Sequence, residues 1–401
     1  MNCILMNKNT PVMEIEFNSN TNSIDKIYSV LDINYAPLAI FNCSKIRGNL
    51  TKATNEWFKG RGIPSWRKDL EKLLEKLNVT SEAELLNKSY ALSLSDQYWL
   101  KEKNSKVRWQ DINFFTNDFL YEAYLEASLD SISSSKKIMD KAIFRSPNNT
   151  TDGMLQKGWI IENNKIVLVK GTYTPSKEEP INEWLASEIC KRLGFSYCEY
   201  NIEWTPKNKL VSKCNNFISE DEEIVTAYDI FKSEKKPNNL SDYEFYISVL
   251  LKHGVTNARR NLENMFVVDY LMMNKDRHLK NFGIIRNVNS LKWVRTAPIF
   301  DTGESMQCDE LTENMNFNKG EGKFFSNPAK DFEQVLKVLG RNITRININK
   351  LNGLCDEYEN ILLKYKDKIN MSQVRIDNLV NGLKTRIEKL QYYIDRIKKD
   401  F

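Results

Sequence analysis

Residues 274–281 read NKDRHLKN, and this short polar stretch decides how the fold of the whole chain is interpreted. It follows residues 261–273, where the density of apolar side chains predicts a buried helix. A second stretch, APIFDTG at residues 297–303, also places a polar residue directly after apolar ones. Polar residues that close buried elements are where functional sites are commonly built. We therefore expect the two stretches to contribute to one site.

The spacing of three side chains in these stretches indicates a type of reaction. Asp276 is followed by Asn281 five residues later, and Asp301 opens an Asp-x-Gly triplet. Phosphoryl transfer from ATP in protein kinases uses these parts in this order. Asp276 would orient or deprotonate a hydroxyl group as the catalytic base, while Asn281 and Asp301 would hold Mg²⁺ against the phosphates.

Two residues distinguish this stretch from that of an ordinary protein kinase. Arg277 and His278 stand where a Leu usually follows the catalytic Asp, and no His-Arg pair precedes Asp276. We interpret His278 as a hydrogen-bonded organiser of the catalytic loop, with proton transfer as the alternative. Arg277 is expected to pair with Asp269 of the preceding helix.

A lysine upstream is a candidate for binding the nucleotide. Lys170 ends a predicted strand, from which its ammonium group can reach the phosphates as a point charge. A carboxylate on the next helix can hold this lysine in place. Glu183 and Glu188 are both candidates, and the residues alone do not decide between them.

A loop ahead of that strand is a candidate for covering the phosphates. Residues 150–153 read TTDG, so Thr151 and Gly153 could bring backbone amides close to an anion. The loop has one glycine and no Walker pattern, which makes the signal weak by itself. Lys157 and Lys280 are further candidate cations for the nucleotide.

Short patterns predict the elements around these candidates. Apolar runs at 159–161 and 166–170, separated by polar residues, predict a β-hairpin. An amphipathic segment at 182–193 predicts a helix that a glycine terminates. The apolar residues 38–41 predict a short strand, and the Lys-, Asn- and Gly-rich residues 312–328 predict a loop.

The fold class predicted from these elements is α+β, with a two-lobed, protein-kinase-like fold. Residues 140–220 would form a small lobe of sheet plus helix, and residues 221–401 a mostly helical large lobe. Residues 1–135 would form an additional N-terminal α+β region. The Ser- and Lys-rich residues 131–137 mark the boundary between this region and the small lobe.

Composition excludes several classes of protein. A net charge of +5 on 401 residues is too weak to indicate nucleic acid binding. No run approaches the roughly 18 apolar residues of a membrane span. The seven cysteines form no Cys-x-x-Cys pair, which indicates reduced thiols. The N-terminus lacks a signal-peptide core, so we expect a cytoplasmic protein without a membrane partner.

The C-terminal residues 376–401 carry a heptad pattern of apolar side chains. Such a seam can form a coiled coil between two copies of a chain, which would make self-association a function of this helix. The same seam can pack against other helices of its own chain, and we favour this interpretation.

At the residues quoted above, the sequence resembles the HipA-like serine/threonine kinase family. The specific matches are residues 274–283 and 297–303, and looser matches lie at 151–157, 169–170 and 182–186. The resemblance extends over about 140–340. It implies a two-lobed kinase fold, ATP and Mg²⁺ as cofactors, and transfer of the γ-phosphoryl group to a Ser or Thr hydroxyl of a protein whose identity is unknown.

The resemblance also assigns roles by position. It implies that Asp276 is the catalytic base, that Asn281 and Asp301 bind metal, and that Lys170 binds ATP phosphates with Glu183 as its partner. It further implies that residues 213–217 lead into the hinge that meets adenine, and that autophosphorylation would fall at Thr150 or Thr151.

Several alternatives stay open. The N-terminal 135 residues do not obviously match the toxin members of the family, which leaves a toxin role, an antitoxin partner and operator binding undecided. The Asp-Arg-His-x-x-Asn string is also similar to phosphatidylinositol kinases. A lipid or small-molecule kinase, or a non-catalytic nucleotide-binding regulator, are therefore the alternative functions.

Overall fold

A computed structural model describes residues 1–64, 70–122, 124–125, 145–150 and 156–399. The chain divides into two compact units, each built from three segments. Unit 1 comprises Met1–Lys170, Asn215–Pro237 and Ile284–Val294, and unit 2 comprises Gly171–Cys214, Asn238–Gly283 and Arg295–Phe401. No helix among the described residues is both long and apolar enough to span a membrane.

The elements are numbered along the chain. The helices are α1 (Leu38–Lys45), α2 (Leu50–Lys59), α3 (Leu70–Leu77), α4 (Glu82–Lys88), α5 (Trp109–Ile112), α6 (Glu179–Leu193), α7 (Ala227–Ser233), α8 (Asp242–Lys252), α9 (Ala258–Met272), α10 (Phe332–Lys337), α11 (Leu354–Ile369) and α12 (Gln373–Lys399). The strands are β1 (Asn2–Asn7), β2 (Thr10–Asn18), β3 (Ser23–Val30), β4 (Tyr98–Glu102), β5 (Lys157–Glu162), β6 (Lys165–Lys170), β7 (Asn201–Trp204), β8 (Leu210–Asn215), β9 (Glu222–Thr226), β10 (Gly283–Asn287), β11 (Trp293–Thr296), β12 (Glu321–Phe324) and β13 (Ser326–Asp331). This mixture agrees with the predicted α+β class.

The N-terminal part of unit 1 is an antiparallel sheet in the order β3-β2-β1-β4. Helices α1 and α2 belong to the same hydrophobic core, which includes Ile15 and Phe17 of β2. The strand predicted at 38–41 is wrong, because these residues begin helix α1 directly after Pro37. A four-residue apolar run fits either a strand or a buried helix, and proline favours the first turn of a helix.

A buried charge network connects distant segments within unit 1. Arg286 of β10 forms an ion pair with Glu223 of β9, and each side chain is 4% exposed. The same guanidinium donates a hydrogen bond of 3.0 Å to the hydroxyl of Tyr98 on β4. Because a buried charge is costly without a partner, this network ties the two later segments to the N-terminal sheet.

The predicted hairpin and the helix after it are confirmed. Strands β5 and β6 pair in an antiparallel register that sets Lys157 opposite Lys170. Helix α6 begins three residues before its predicted start and ends at Gly194, whose φ of 74° is the left-handed conformation of a helix C-terminus. Pro180 in the first turn of α6 accounts for the earlier start.

The loop predicted at 312–328 is wrong in its second half. Residues 321–331 form the antiparallel hairpin of β12 and β13 in unit 2. Glycine and lysine are uncommon in strands, so local propensity gives no signal for this hairpin. Aromatic packing supplies the missing stability, because the ring of Phe324 lies 5.0 Å from that of Phe266 on α9.

The C-terminal helix α12 packs within unit 2. Ile376, Leu383, Leu390 and Ile394 of the heptad seam are buried. The guanidinium of Arg386 stacks on the ring of Tyr270 at 3.7 Å. The interpretation of this seam as packing against the chain's own helices is confirmed, whereas self-association stays a prediction. The predicted lobes at 140–220 and 221–401, and the predicted region at 1–135, likewise stay predictions.

Candidate functional site

The loop that carries Asp276 starts where helix α9 ends. Met273 takes a left-handed conformation with φ of 50°, which stops the helix. The side chain of Asn274 then links both sides of this turn. Its Nδ2 donates to Asp269 Oδ1 at 2.8 Å, and its Oδ1 accepts from the backbone N–H of Asp276 at 3.0 Å. The position of Asp276 is therefore set by the last turn of a buried helix.

Arg277 holds the loop that carries Asp276 to the segment before Asp301. Its Nε and Nη2 donate to the carboxylate of Asp269 at 2.9 and 3.0 Å, as the sequence predicts for this pair. Its Nη1 donates to the backbone carbonyls of Asn281 and Phe300, at 2.7 Å each. One guanidinium nitrogen thus brings together the backbone of Asn281 and the residue before Asp301.

Asn281 is turned so that an oxygen remains to bind a cation. Its Nδ2 donates to the carbonyl of Asp276 at 2.8 Å, and its backbone N–H donates to the carbonyl of His278 at 2.9 Å. The amide oxygen Oδ1 is then the atom left for a metal ion. Asp301 has a φ of 57°, a left-handed conformation that Asp tolerates better than most residues.

His278 is part of the loop's own hydrogen bonding. Its backbone N–H donates to the carbonyl of Asp276 at 2.7 Å, and its Nδ1 accepts from the backbone N–H of Lys280 at 3.2 Å. Burial lowers the pKa of His278, although the negative charge of Asp276 opposes this. A neutral imidazole that accepts at Nδ1 carries its proton on Nε2, which lies 3.7 Å from Asp276 Oδ2.

Negative charge concentrates around this loop. Glu304 follows Asp301 by three residues, and burial together with the charges of Asp276 and Asp301 raises its pKa to about 7. Among the described residues, no group of three or more His, Cys, Asp or Glu side chains is arranged to hold a metal ion. Asn281 and Asp301 offer one amide and one carboxylate as oxygen ligands, and Mg²⁺ bound by them would take phosphate oxygens and water as its further ligands.

Helix α6 supports the loop after Asp301. The side chain of Asn182 donates from Nδ2 to the carbonyls of Gly303 and Ser305, at 2.9 and 2.8 Å. Glu183, the next residue, is 1% exposed and accepts a hydrogen bond from the hydroxyl of Ser212. Glu188 instead contacts Lys191 at 3.2 Å near the surface. Glu183 is thus buried and Glu188 is partly exposed, and the pairing of either carboxylate with Lys170 stays a prediction.

The candidate nucleotide lysines lie on neighbouring strands of unit 1. Lys157 and Lys170 occupy directly opposite positions of β5 and β6, and Lys170 is 2% exposed. Their positive charges make both lysines candidates for binding phosphate groups, and this role stays a prediction. Lys280 is exposed. Thr151 and Gly153 lie outside the described residues.

Sequence reasoning missed two side chains next to Asp276. Lys323 of β12 contacts Asp276 Oδ1 through its Nζ, and Glu304 lies close enough for its pKa to respond to Asp276. A signal for Lys323 was present in residues 320–325, which read GEGKFF. Two glycines before a lysine and two aromatic residues indicate a close backbone approach rather than an open loop.

Comparisons with known proteins identify the family of this chain. The sequence profile described as the HipA-like C-terminal domain matches residues 141–360. This match covers more than half of the chain, so the chain belongs to the HipA-like family. The family membership predicted from the two motifs is therefore confirmed.

One relative is the serine/threonine-protein kinase CtkA of Helicobacter pylori strain J99. The two sequences are 32% identical over 165 residues, which cover 37% of this chain and 50% of CtkA. The match thus spans about half the length of that kinase. The crystal structure of the H. pylori proinflammatory kinase CtkA aligns with 61% of this chain and 94% of its own, at 22% identity and a TM-score of 0.47.

A second solved structure is similar along the whole chain. It is the toxin–antitoxin complex of HipA, HipB and operator DNA from Shewanella oneidensis MR-1, one chain of which aligns with a TM-score of 0.57 and 14% identity. The alignment covers 99% of each chain, so it includes the N-terminal residues that sequence motifs did not match. This similarity concerns the fold alone.

Proposed function

We propose that this protein is a two-lobed serine/threonine kinase that uses ATP and Mg²⁺ and transfers the γ-phosphoryl group to a hydroxyl of a protein. The observation that carries the proposal is the bridge made by Arg277. Its Nη1 lies 2.7 Å from the carbonyls of both Asn281 and Phe300, which gathers the base and both metal-ligand candidates around one buried guanidinium. The named activity of CtkA supports the same reaction class.

The reaction assigns each residue a role. The acceptor oxygen attacks the γ-phosphorus, a new O–P bond forms, and the bond between phosphorus and the β,γ-bridging oxygen breaks. ADP leaves with that electron pair, and the hydroxyl proton passes to the carboxylate of Asp276. Asn281 Oδ1 and the carboxylate of Asp301 would hold Mg²⁺, which when bound neutralises charge on the phosphates.

The remaining candidates would bind and position the nucleotide. Lys170 and Lys157 supply positive charge for the phosphates, with Glu183 as the carboxylate that orients Lys170. Lys280 adds a further cation near the catalytic loop, and Thr151 and Gly153 would cover the phosphates. His278 organises the loop, because its hydrogen bonds hold Asp276 and Lys280 in one turn.

Labelled ATP with Mg²⁺ tests this proposal on the purified protein alone and with a host lysate. We expect label in protein, and we expect Asp276→Asn to lower the rate by about 10²–10⁴-fold while ATP binding persists. Asp309→Asn is the matched control, because Asp309 is exposed and pairs with Lys275. A wild-type protein that labels nothing would refute the proposal.

The acceptor is tested in the same experiment. Label that enters lipid or small molecules, and no protein, would contradict the proposed protein acceptor. Mass spectrometry of phosphosites identifies autophosphorylation, for which Thr150 and Thr151 are the proposed residues. The hydroxyl of Thr150 donates to the carbonyl of Pro147 at 3.0 Å and would have to leave that contact to react.

A further inference from the structure

Lys323 contacts the proposed catalytic base from 47 residues further along the chain. Its Nζ donates a hydrogen bond to Oδ1 of Asp276 within an ion pair. The Lys323 side chain is 37% exposed and that of Asp276 is 26% exposed. Both charged groups therefore remain accessible to a substrate, unlike the fully buried Arg277.

The backbone of β12 is built to bring Lys323 to this position. A Cβ atom on Gly322 would lie 2.7 Å from the carbonyl oxygen of Asn274, and one on Gly320 would lie 2.4 Å from the Cε of Met273. Both distances are shorter than real Cβ contacts allow. The Cε of Met273 ends a flexible side chain that can move, whereas the backbone of Asn274 cannot, so position 322 requires glycine for this segment to lie directly against the residues that precede Asp276.

Aromatic residues anchor the segment on the other side of Lys323. The ring of Phe324 lies 5.0 Å from that of Phe266 on α9, and the ring of Phe325 lies 5.7 Å from that of Phe282. Phe282 directly follows Asn281 in the chain. The lysine is thus held between two contacts to the same helix and loop that carry the proposed base and metal ligand.

The contact also leaves a defined oxygen of Asp276 for chemistry. Lys323 contacts Oδ1, whereas Oδ2 lies 3.7 Å from His278 Nε2, beyond hydrogen-bonding distance. Oδ2 would accept the proton of the acceptor hydroxyl, and that hydroxyl oxygen would be bonding to the γ-phosphorus. An ammonium group beside Oδ1 would then be close to the γ-phosphoryl oxygens of the reacting nucleotide, where negative charge develops.

We propose that Lys323 is a catalytic residue that contacts the γ-phosphoryl oxygens during the transfer and holds Asp276 for the attacking hydroxyl. This inference rests on the proposed kinase function. The positive charge beside Asp276 Oδ1 thus comes from a hairpin 47 residues further along the chain.

The test compares Lys323→Met, Lys323→Arg and the control Lys330→Met. Lys330 lies on β13 opposite Gly322, is exposed, and stacks on Phe324 at 4.9 Å, so it belongs to the same hairpin. The rate of label transfer from ATP is measured against ATP concentration, with whichever acceptor the labelling experiment identifies. Calorimetric titration with Mg·ATP and thermal unfolding are recorded for each variant.

We expect Lys323→Met to lower kcat by about 10²–10³-fold, as expected for the loss of one transition-state donor. The KM for ATP and the Kd from calorimetry should change by less than about 3-fold, because the contact strengthens only in the transition state. Lys323→Arg should recover at least about 10-fold of the loss, and Lys330→Met should behave as wild type. A purely structural role of Lys323 would not lower kcat while leaving the KM for ATP nearly unchanged.

Two results would overturn the inference and leave the kinase function intact. An active wild type with an equally active Lys323→Met would exclude a catalytic role. A Lys323→Met variant that is faster than wild type would make the ion pair an inhibitory contact instead. A wild type that transfers no label refutes the proposed function and the inference together.

Discussion

Arg277 and Asp269 form a bidentate ion pair. Both side chains are almost fully buried, since that of Arg277 is 2% exposed and that of Asp269 is 7% exposed. The carboxylate sits on helix α9 and the guanidinium on the loop that follows, eight residues later. Because the same guanidinium also donates to the carbonyls of Asn281 and Phe300, its removal takes four hydrogen bonds away and leaves the buried carboxylate of Asp269 without its positive partner. The pair is therefore both a stability element and the organiser of the site.

Replacing Arg277 should destabilise the protein strongly. We expect Arg277→Ala to lower the free energy of unfolding by about 3–5 kcal/mol, because one charge of a buried pair stays behind. Arg260→Ala is the matched control on an exposed part of α9, and we expect a change within about 0.5 kcal/mol. Urea unfolding measures both. Equal stability of the two variants would contradict the proposed importance of the pair.

A milder change at the same position separates folding from activity. Lysine keeps the charge of Arg277 but has no planar fork, so it cannot hold Asp269 and two carbonyls at once. We expect Arg277→Lys to fold at reduced temperature and to transfer phosphate at least about 10-fold more slowly. Circular dichroism and the labelling assay provide the two readouts, and full activity of a folded Arg277→Lys would count against the organising role.

The proposed metal ligand can be tested without disturbing the backbone. Asparagine tolerates the left-handed conformation that Asp301 adopts, with φ of 57°, so Asp301→Asn should fold normally. We expect it to raise the Mg²⁺ concentration needed for half-maximal ATP binding by about 10-fold or more. Calorimetry at fixed ATP measures the effect. An unchanged Mg²⁺ dependence would remove Asp301 from the metal site.

Stability should depend on pH through Glu304. Its pKa is raised to about 7 by burial and by nearby negative charge, whereas an unfolded chain has a value near 4.5. The folded state therefore binds the proton of Glu304 more tightly than the unfolded state does. The stability that this tighter proton binding contributes is lost as the pH rises from about 4.5 through 7. Because the carboxylate is partly exposed, we expect Glu304→Gln to be more stable than wild type by about 1–2 kcal/mol at pH 8.

The same variant has a clear prediction at low pH. Below about pH 4.5 the carboxyl group of Glu304 is protonated in both states, so wild type and Glu304→Gln should unfold at the same point. Unfolding midpoints measured at pH 4.5, 6 and 8 without Mg²⁺ give the comparison. A difference that does not grow with pH would contradict the assignment of this penalty to Glu304.

Helix α12 should contribute to stability through its buried seam. Leu383 is 0% exposed, and Leu383→Ala should lower the free energy of unfolding by about 2–5 kcal/mol. The neighbouring Lys384 is exposed, and Lys384→Ala should stay within about 0.5 kcal/mol of wild type. Similar losses for both variants would mean that the seam does not pack as described.

Self-association has to use the outer side of this helix, since the seam is covered within unit 2. Tyr392 is 71% exposed and Val374 is 61% exposed on α12. If copies of the chain associate through α12, Tyr392→Glu should shift the sedimentation coefficient of the intact protein toward that of a monomer. A wild type that sediments as a monomer would end this proposal.

Much of the secondary structure around the site follows from local patterns. The hairpin β5–β6, helix α6 and helix α9 each have a periodicity or a terminating residue that local sequence supplies. The strand predicted at 38–41 was wrong because four consecutive apolar residues fit a strand or a helix equally well. The loop predicted over 312–328 was wrong at the hairpin 321–331, because the stability of this hairpin comes from contacts to α9. Local propensity contains no information about such contacts.

The sequence by itself determined the family and most of the helices and strands around the candidate site, and it indicated Asp276, Asn281 and Asp301 as the proposed reaction residues. Tertiary structure decided how these parts are held, through the fork of Arg277 and the contact of Lys323 with Asp276. The physical reason is the sequence separation of the interacting residues, because the spacing of a motif predicts only contacts within one turn or loop. An ion pair that joins residues 47 positions apart depends on the packing of glycines and aromatic rings that bring β12 to the loop.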